Sequence, residues 1–178
     1  TPDGKQLAVA CGDSHEADFI DLATRQSVRR VKLGEDPEIF DISADGKTLY
    51  VSNEEDAVLG IVDLGSGQRK GEVKVGGEPE GVKLSADGKT VYVTSEVAGV
   101  VHAVDLASGK VVANIKAGKR PRRFARTPDG TQLWVSNELA ASMSVISVKD
   151  LAVTHTVKFE VKGLRAQLFS LRSQTGTE

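Results

Sequence analysis

Charged residues follow three prolines in the same register: Glu38 after Pro37, Glu80 after Pro79, and Arg122 with Arg123 after Pro121. A purely structural need would repeat the residue type. An acid, an acid and then a base at one register point instead to recognition of a charged group or to ion pairing between successive units. A second series lies further along each unit: Asn53-Glu54, Ser95-Glu96 and Asn137-Glu138. As loop residues on a rigid scaffold they are candidates for binding. The same glutamates also fit plain solvated loop residues, the ordinary state of a repeated surface acid. The densest basic run is Lys119-Arg120-Pro121-Arg122-Arg123 with Arg126, the one feature suited to binding an anion.

The elements that must position these residues are set by a longer pattern. Thr1-Pro2-Asp3-Gly4 returns as Ser43-Ala44-Asp45-Gly46, Ser85-Ala86-Asp87-Gly88 and Thr127-Pro128-Asp129-Gly130, at intervals of 42 residues. Tyr50, Tyr92 and Trp134 keep the same phase, as do Asp21, Asp63 and Asp105, and Gly34, Gly76 and Gly118. A period of about 40 to 45 residues is that of one four-stranded propeller blade. Within a unit, Gly81-Val82-Lys83-Leu84-Ser85 alternates apolar and polar residues, and Asp87-Gly88 supplies a tight turn. Thr90 to Thr94 and Val100 to Asp105 read as the next two strands, and Val111 to Lys116 as the fourth after an Ala107-Ser108-Gly109-Lys110 turn. The chain therefore reads as an all-β propeller array of antiparallel four-stranded blades: an incomplete blade at 1–34, then 35–76, 77–118 and 119–160. Residues 161–178 diverge: Glu160 stands where Gly is expected, Gly163 where Pro is expected, and no Asp-Gly turn follows. Either the segment around Leu164 to Leu171 supplies the missing inner strand of a four-bladed ring, or the array is part of a larger ring. An open array would expose strand edges through which chains could self-associate.

Strand direction sorts the loops between two faces. The proline linkers and the loops after the Tyr/Trp strands share one face, and both Gly turns share the other. Glu38, Glu80, Arg122 and Arg123 therefore lie nearest the axis, with Asn53, Glu54, Ser95, Glu96, Asn137 and Glu138 on the same face, where binding residues usually lie. Asp21, Asp63 and Asp105 are each one blade apart, too far to share an ion at the roughly 2.0 to 2.6 Å that ligation requires. They read as turn caps. His15, His102 and His155 share no register, and no Gly-x-Ser-x-Gly elbow is present, so no metal site, cofactor or nucleophilic catalyst is expected. Tyr50, Tyr92 and Trp134 read as packing residues. A formal charge of −2 gives no footprint for nucleic acid, and no apolar run approaches the roughly 18 residues of a membrane span. The single Cys11 permits no internal disulfide and reads as a buried strand thiol.

Tyr50-Val51-Ser52-Asn53, Tyr92-Val93-Thr94-Ser95 and Trp134-Val135-Ser136-Asn137 resemble the strand signature of the YVTN-type β-propeller proteins. The linkers Asp36-Pro37-Glu38-Ile39-Phe40, Glu78-Pro79-Glu80-Gly81 and Arg120-Pro121-Arg122, with Phe159-Glu160-Val161, are similar to propellers associated with PQQ-dependent alcohol catabolism. That resemblance implies a secreted or periplasmic seven-bladed ring, which at this period needs about 290 residues. It also implies a non-catalytic binding or scaffold role beside a quinoprotein dehydrogenase or c-type cytochrome. Related propellers include lactonases, haem-bearing oxidoreductase domains and single-stranded nucleic-acid binders, which remain alternatives.

Overall fold

The computed structural model describes residues 1–160. They form four antiparallel sheets arranged as successive blades, and no helix occurs among the described residues. The first blade has three strands: β1 (Gln6–Cys11), β2 (Glu16–Asp21) and β3 (Ser27–Lys32). The second runs β4 (Pro37–Ile42), β5 (Thr48–Asn53), β6 (Val58–Asp63) and β7 (Gln68–Lys74). The third is β8 (Pro79–Leu84), β9 (Thr90–Ser95), β10 (Val100–Asp105) and β11 (Lys110–Lys116). The fourth is β12 (Pro121–Arg126), β13 (Gln132–Asn137), β14 (Ser142–Ser147) and β15 (Ala152–Lys158). The fold is thus the all-β propeller array expected from the period. The divergent segment 161–178, and the closing strand considered there, lie outside the described residues.

Local chemistry explains the blade. In the turn between the first two strands, Asp45 Oδ1 accepts the Lys47 amide at 3.1 Å and the Ser43 hydroxyl at 2.6 Å, and Ser43 Oγ accepts the Thr48 amide at 2.9 Å. The following Gly46 has φ of +72°, left-handed backbone that suits glycine. Ser85, Asp87 and Thr90 repeat these contacts. The second turn works by a different pair: Asp63 Oδ1 accepts the Ser66 amide at 2.7 Å and its hydroxyl at 3.0 Å, and Asp105 with Ser108 does the same. In the fourth blade the pair is exchanged, because Ser147 stands at the Asp position and Asp150 at the Ser position, and they still bond to each other at 2.7 Å. The Asp series therefore caps turns, as its spacing suggests.

Alternation along the second strand distributes each blade between two neighbours. Leu49 and Val51 face Ala17, Phe19, Val31 and Leu33 of the first blade, while Tyr50 faces the third. Val91 and Val93 then pack back on Tyr50, Leu59 and Val73, while Tyr92 faces forward to Leu133, Val135 and Ile146. Among the described residues the core is thus three interblade layers. Cys11 departs from expectation: it ends β1, half-buried rather than buried.

Candidate functional site

The innermost strands β4, β8 and β12 carry an irregularity at one place. Pro37 pairs with Asn53 and Phe40 with Val51, so Glu38 and Ile39 bulge opposite Ser52 alone. Glu80-Gly81 and Arg122-Arg123 bulge identically. Bulges redirect side chains, and here they present the charged residues at the axial end of each blade. The amide that the bulge removes from the ladder is recovered by the hydroxyl of the Tyr-Val-Ser/Thr strand. Ser52 Oγ accepts the Ile39 amide at 3.2 Å, Thr94 Oγ1 the Gly81 amide at 2.6 Å, and Ser136 Oγ the Arg123 amide at 3.0 Å. Ser52 Oγ also lies 3.1 Å from the Glu80 carbonyl, and Thr94 Oγ1 lies 3.3 Å from that of Arg122, latching each blade to the next. The innermost strands approach so closely that a Cβ on Gly81 would collide with the Arg122 carbonyl oxygen.

The residue before a proline favours extended backbone, yet Asp36, Glu78 and Arg120 have φ of +41°, +50° and +57°. This turn lets their carbonyls accept the amides of Glu54, Glu96 and Glu138 at 3.0, 3.0 and 2.9 Å. Linker and loop are thereby held together on one face, as strand direction requires.

The charges meet in one network. Arg122 reaches Glu80 at 2.6 Å, Glu96 at 2.7 Å and Glu138 at 3.0 Å. Arg123 bonds Glu80 at 2.7 Å and lies 3.5 Å from Glu38. Arg120, which stands in the basic run and in the linker before Pro121, pairs with Glu96 and approaches Glu138 at 3.7 Å. The Glu80 and Glu96 side chains are only 4% and 2% exposed. They anchor the arginines rather than offer themselves as contacts. Asp36, Glu38 and Glu54 gather beside this network, half-buried, with oxygens within 4.8 Å of one another. This group concentrates negative charge on the axial face.

Burial and repulsion from Glu80 raise the Glu38 carboxyl above its ordinary range, and burial with repulsion from Glu80 and Glu38 does the same to Glu54. Burial also pushes Glu96 up, against Arg120 and Arg122. Burial would raise Glu80 too, but Arg123 and Arg122 outweigh it and hold that carboxyl low. The axial end of the blades, their mouth, therefore has the firmly ionised Glu80 carboxylate with crowded acids around it.

Asn53, Ser95 and Asn137 correct the sequence reading. They are buried strand-end residues whose side chains turn into the linkers, not onto the open face. Asn53 Nδ2 donates to the Leu33 and Glu35 carbonyls at 3.2 and 2.9 Å, and Asn137 Oδ1 accepts the Gly118 amide at 3.0 Å. Ser95 Oγ donates to the Gly77 carbonyl at 2.8 Å, and the Gly76 amide goes to His102 instead. Its Nε2 accepts the Gly76 amide at 2.9 Å while Nδ1 faces Asn114 Oδ1 at 2.6 Å, which fixes the tautomer. The signal was in the sequence as a paired change: Asn53 with Gly60, Ser95 with His102, Asn137 with Ser144. Of the remaining expected residues, Glu38, Glu54, Glu138, Arg122 and Arg123 keep some exposure on the axial face. The basic run is largely committed internally: Arg120, Arg122 and Arg123 pair with glutamates, and Arg126 donates to the Leu84 carbonyl at 2.9 Å.

The family description of the YNCE-like β-propellers matches residues 1–127. Solved structures similar to the chain include the hydrazine synthase of Kuenenia stuttgartiensis, at 28% identity and TM-score 0.82 over 90% of this chain and 47% of that one. The dihydro-heme d1 dehydrogenase NirN, solved in complex with DHE, is similar at 19% identity and TM-score 0.67 over 88% of this chain and 36% of its own, a likeness of fold alone. The chain spans less than half the length of either. No curated protein sequence matches it.

Proposed function

The chain belongs to the YNCE-like β-propeller family, and from that premise we propose that it is a non-catalytic binding or scaffold propeller that docks a protein partner on its axial face. The partner we propose is a quinoprotein (PQQ) alcohol dehydrogenase or its c-type cytochrome, met in the periplasm within a seven-bladed ring. The observation that carries the binding role is the excess of carboxylates at the mouth. Three arginines meet four glutamates, Glu80, Glu96, Glu138 and Glu38, while Asp36 and Glu54 crowd beside them. Such a surface favours a partner that brings lysine or arginine side chains, and its electrostatics would steer association. Titration calorimetry against both proteins tests it. Binding should weaken about tenfold in the E38Q/E54Q variant and with added salt; binding to neither, or equal binding by the variant, would sink the proposal.

A second reading, a propeller enzyme of lactonase or haem-oxidoreductase type, draws support from the 28% identity to hydrazine synthase. It predicts lactone turnover lost in R122A, or a haem absorbance change on titration. The nucleic-acid reading would need the basic run free, and its arginines are paired internally.

A further inference from the structure

The equivalent loops between β1 and β2, β5 and β6, β9 and β10, and β13 and β14 change character along the chain. Their tips are Asp13-Ser14 in the first blade and Glu55-Asp56 in the second, then Val97-Ala98 in the third and Leu139-Ala140 in the fourth. No packing demand explains the switch, because Val97 is 70% and Leu139 52% exposed. The linker between these two loops changes with them: Glu35-Asp36 and Gly77-Glu78 give way to Lys119-Arg120. Between the third and fourth blades the two apolar tips flank a groove of about 1090 Å³, lined also by Gly99, Ala117 and Gly118, by the cations Lys116, Lys119, Arg120 and Lys158, and by the fewer carboxylates Glu78 and Glu96. All three lysines are exposed and none has a carboxylate within ion-pair distance among the described residues.

We propose that this groove is a docking site for an acidic, aliphatic peptide segment of a partner protein, seated with an apolar side chain between Val97 and Leu139 and its carboxylates on the lysines. Two exposed aliphatic tips one blade apart provide the apolar anchor that a peptide site needs. The lysine edge selects the sign of charge, and the acidic loop tips of the first two blades would repel the same segment. The groove adjoins the acidic axial network through Glu96 and Arg120, but its apolar tips and lysines take the opposite charge, and the E38Q/E54Q and V97D/L139D variants test the two sites independently.

Fluorescence anisotropy with a labelled short peptide of alternating Glu and Leu tests this on the full chain. The chain should bind it, and bind the Lys-Leu and Glu-Ser counterparts at least about tenfold more weakly. V97D/L139D, which copies the acidic character of the earlier tips at exposed positions, should lose about tenfold in affinity while leaving the thermal melt unchanged. K119E should lose affinity and its salt dependence. Equal affinity for the Lys-Leu peptide, or undiminished binding by V97D/L139D with an intact melt, overturns the proposal. So does binding only to anionic lipid vesicles, or a concentration-dependent dimer that V97D/L139D abolishes in the absence of peptide binding.

Discussion

Glu38 and Glu80 occupy one register a blade apart, yet their carboxyls are displaced in opposite directions, Glu38 up by burial and repulsion and Glu80 down by its two arginines. A carboxyl raised in the folded state binds its proton at a pH where the unfolded chain does not. Ionised Glu38, Glu54 and Glu96 therefore cost stability at neutral pH, and the cost is relieved as pH falls toward their ordinary value of 4.5. Glu80 behaves oppositely: its contribution is complete above 4.5 and is lost as pH falls through its lowered value. Stability should thus rise on mild acidification and then fall. Thermal melts across pH should show E38Q more stable than the native chain at pH 7 and with a flatter rise; a lower melting temperature for E38Q would refute this. His102 offers another residue-level test. Burial lowers its pKa, opposed by Asn114, and its neutral ring accepts from Gly76. H102S should cost about 1 to 3 kcal/mol by stranding the Gly76 amide. S95N/H102S, which installs the Asn137/Ser144 pair of the fourth blade, should recover most of that loss, whereas additive costs in chemical denaturation would mean that the two sites are not partners.

At the scale of the element, the Tyr-Val-Ser/Thr strand and the proline bulge form one device. The bulge aims the charged side chains, and the hydroxyl one strand away satisfies the amide that the bulge leaves out of the ladder. S52A should therefore destabilise by about 1 to 3 kcal/mol, and S52T, the residue type at position 94, by much less. Equal losses in urea titration would show that side-chain volume, not the hydroxyl, is what matters. The strands themselves were legible because β-branched and aromatic residues alternate between Asp-Gly and Ser-Gly turns. The bulge was not, nor was the left-handed backbone at Asp36, Glu78 and Arg120. A residue preceding proline reads as extended from sequence, and only the hydrogen bond to the neighbouring loop amide makes the turned form favourable.

Across the whole molecule, Arg122 ties the third blade to the fourth by reaching Glu80 and Glu96 on one side and Glu138 on the other. Removing it would leave two buried carboxylates facing each other, so R122A should cost about 3 to 5 kcal/mol, and adding E80Q/E96Q should restore much of it. If denaturant unfolding shows R122A within error of the native chain, the network is decorative. The chain's own order of residues determined the 42-residue period, the strands, the turn caps and the face on which linkers and loops meet, because these follow from local conformational preference and alternation. Tertiary structure decided which charges are partners and which are exposed. Glu80 and Arg122 stand in equivalent positions of different blades, and whether such residues touch depends on how closely the innermost strands approach. That approach is set by the packing of interblade layers and by the absence of a side chain at Gly81. Asn53, Ser95 and Asn137 turned inward for the same reason: a buried linker amide or carbonyl must find a partner, and only the folded array reveals which polar side chain lies beside it.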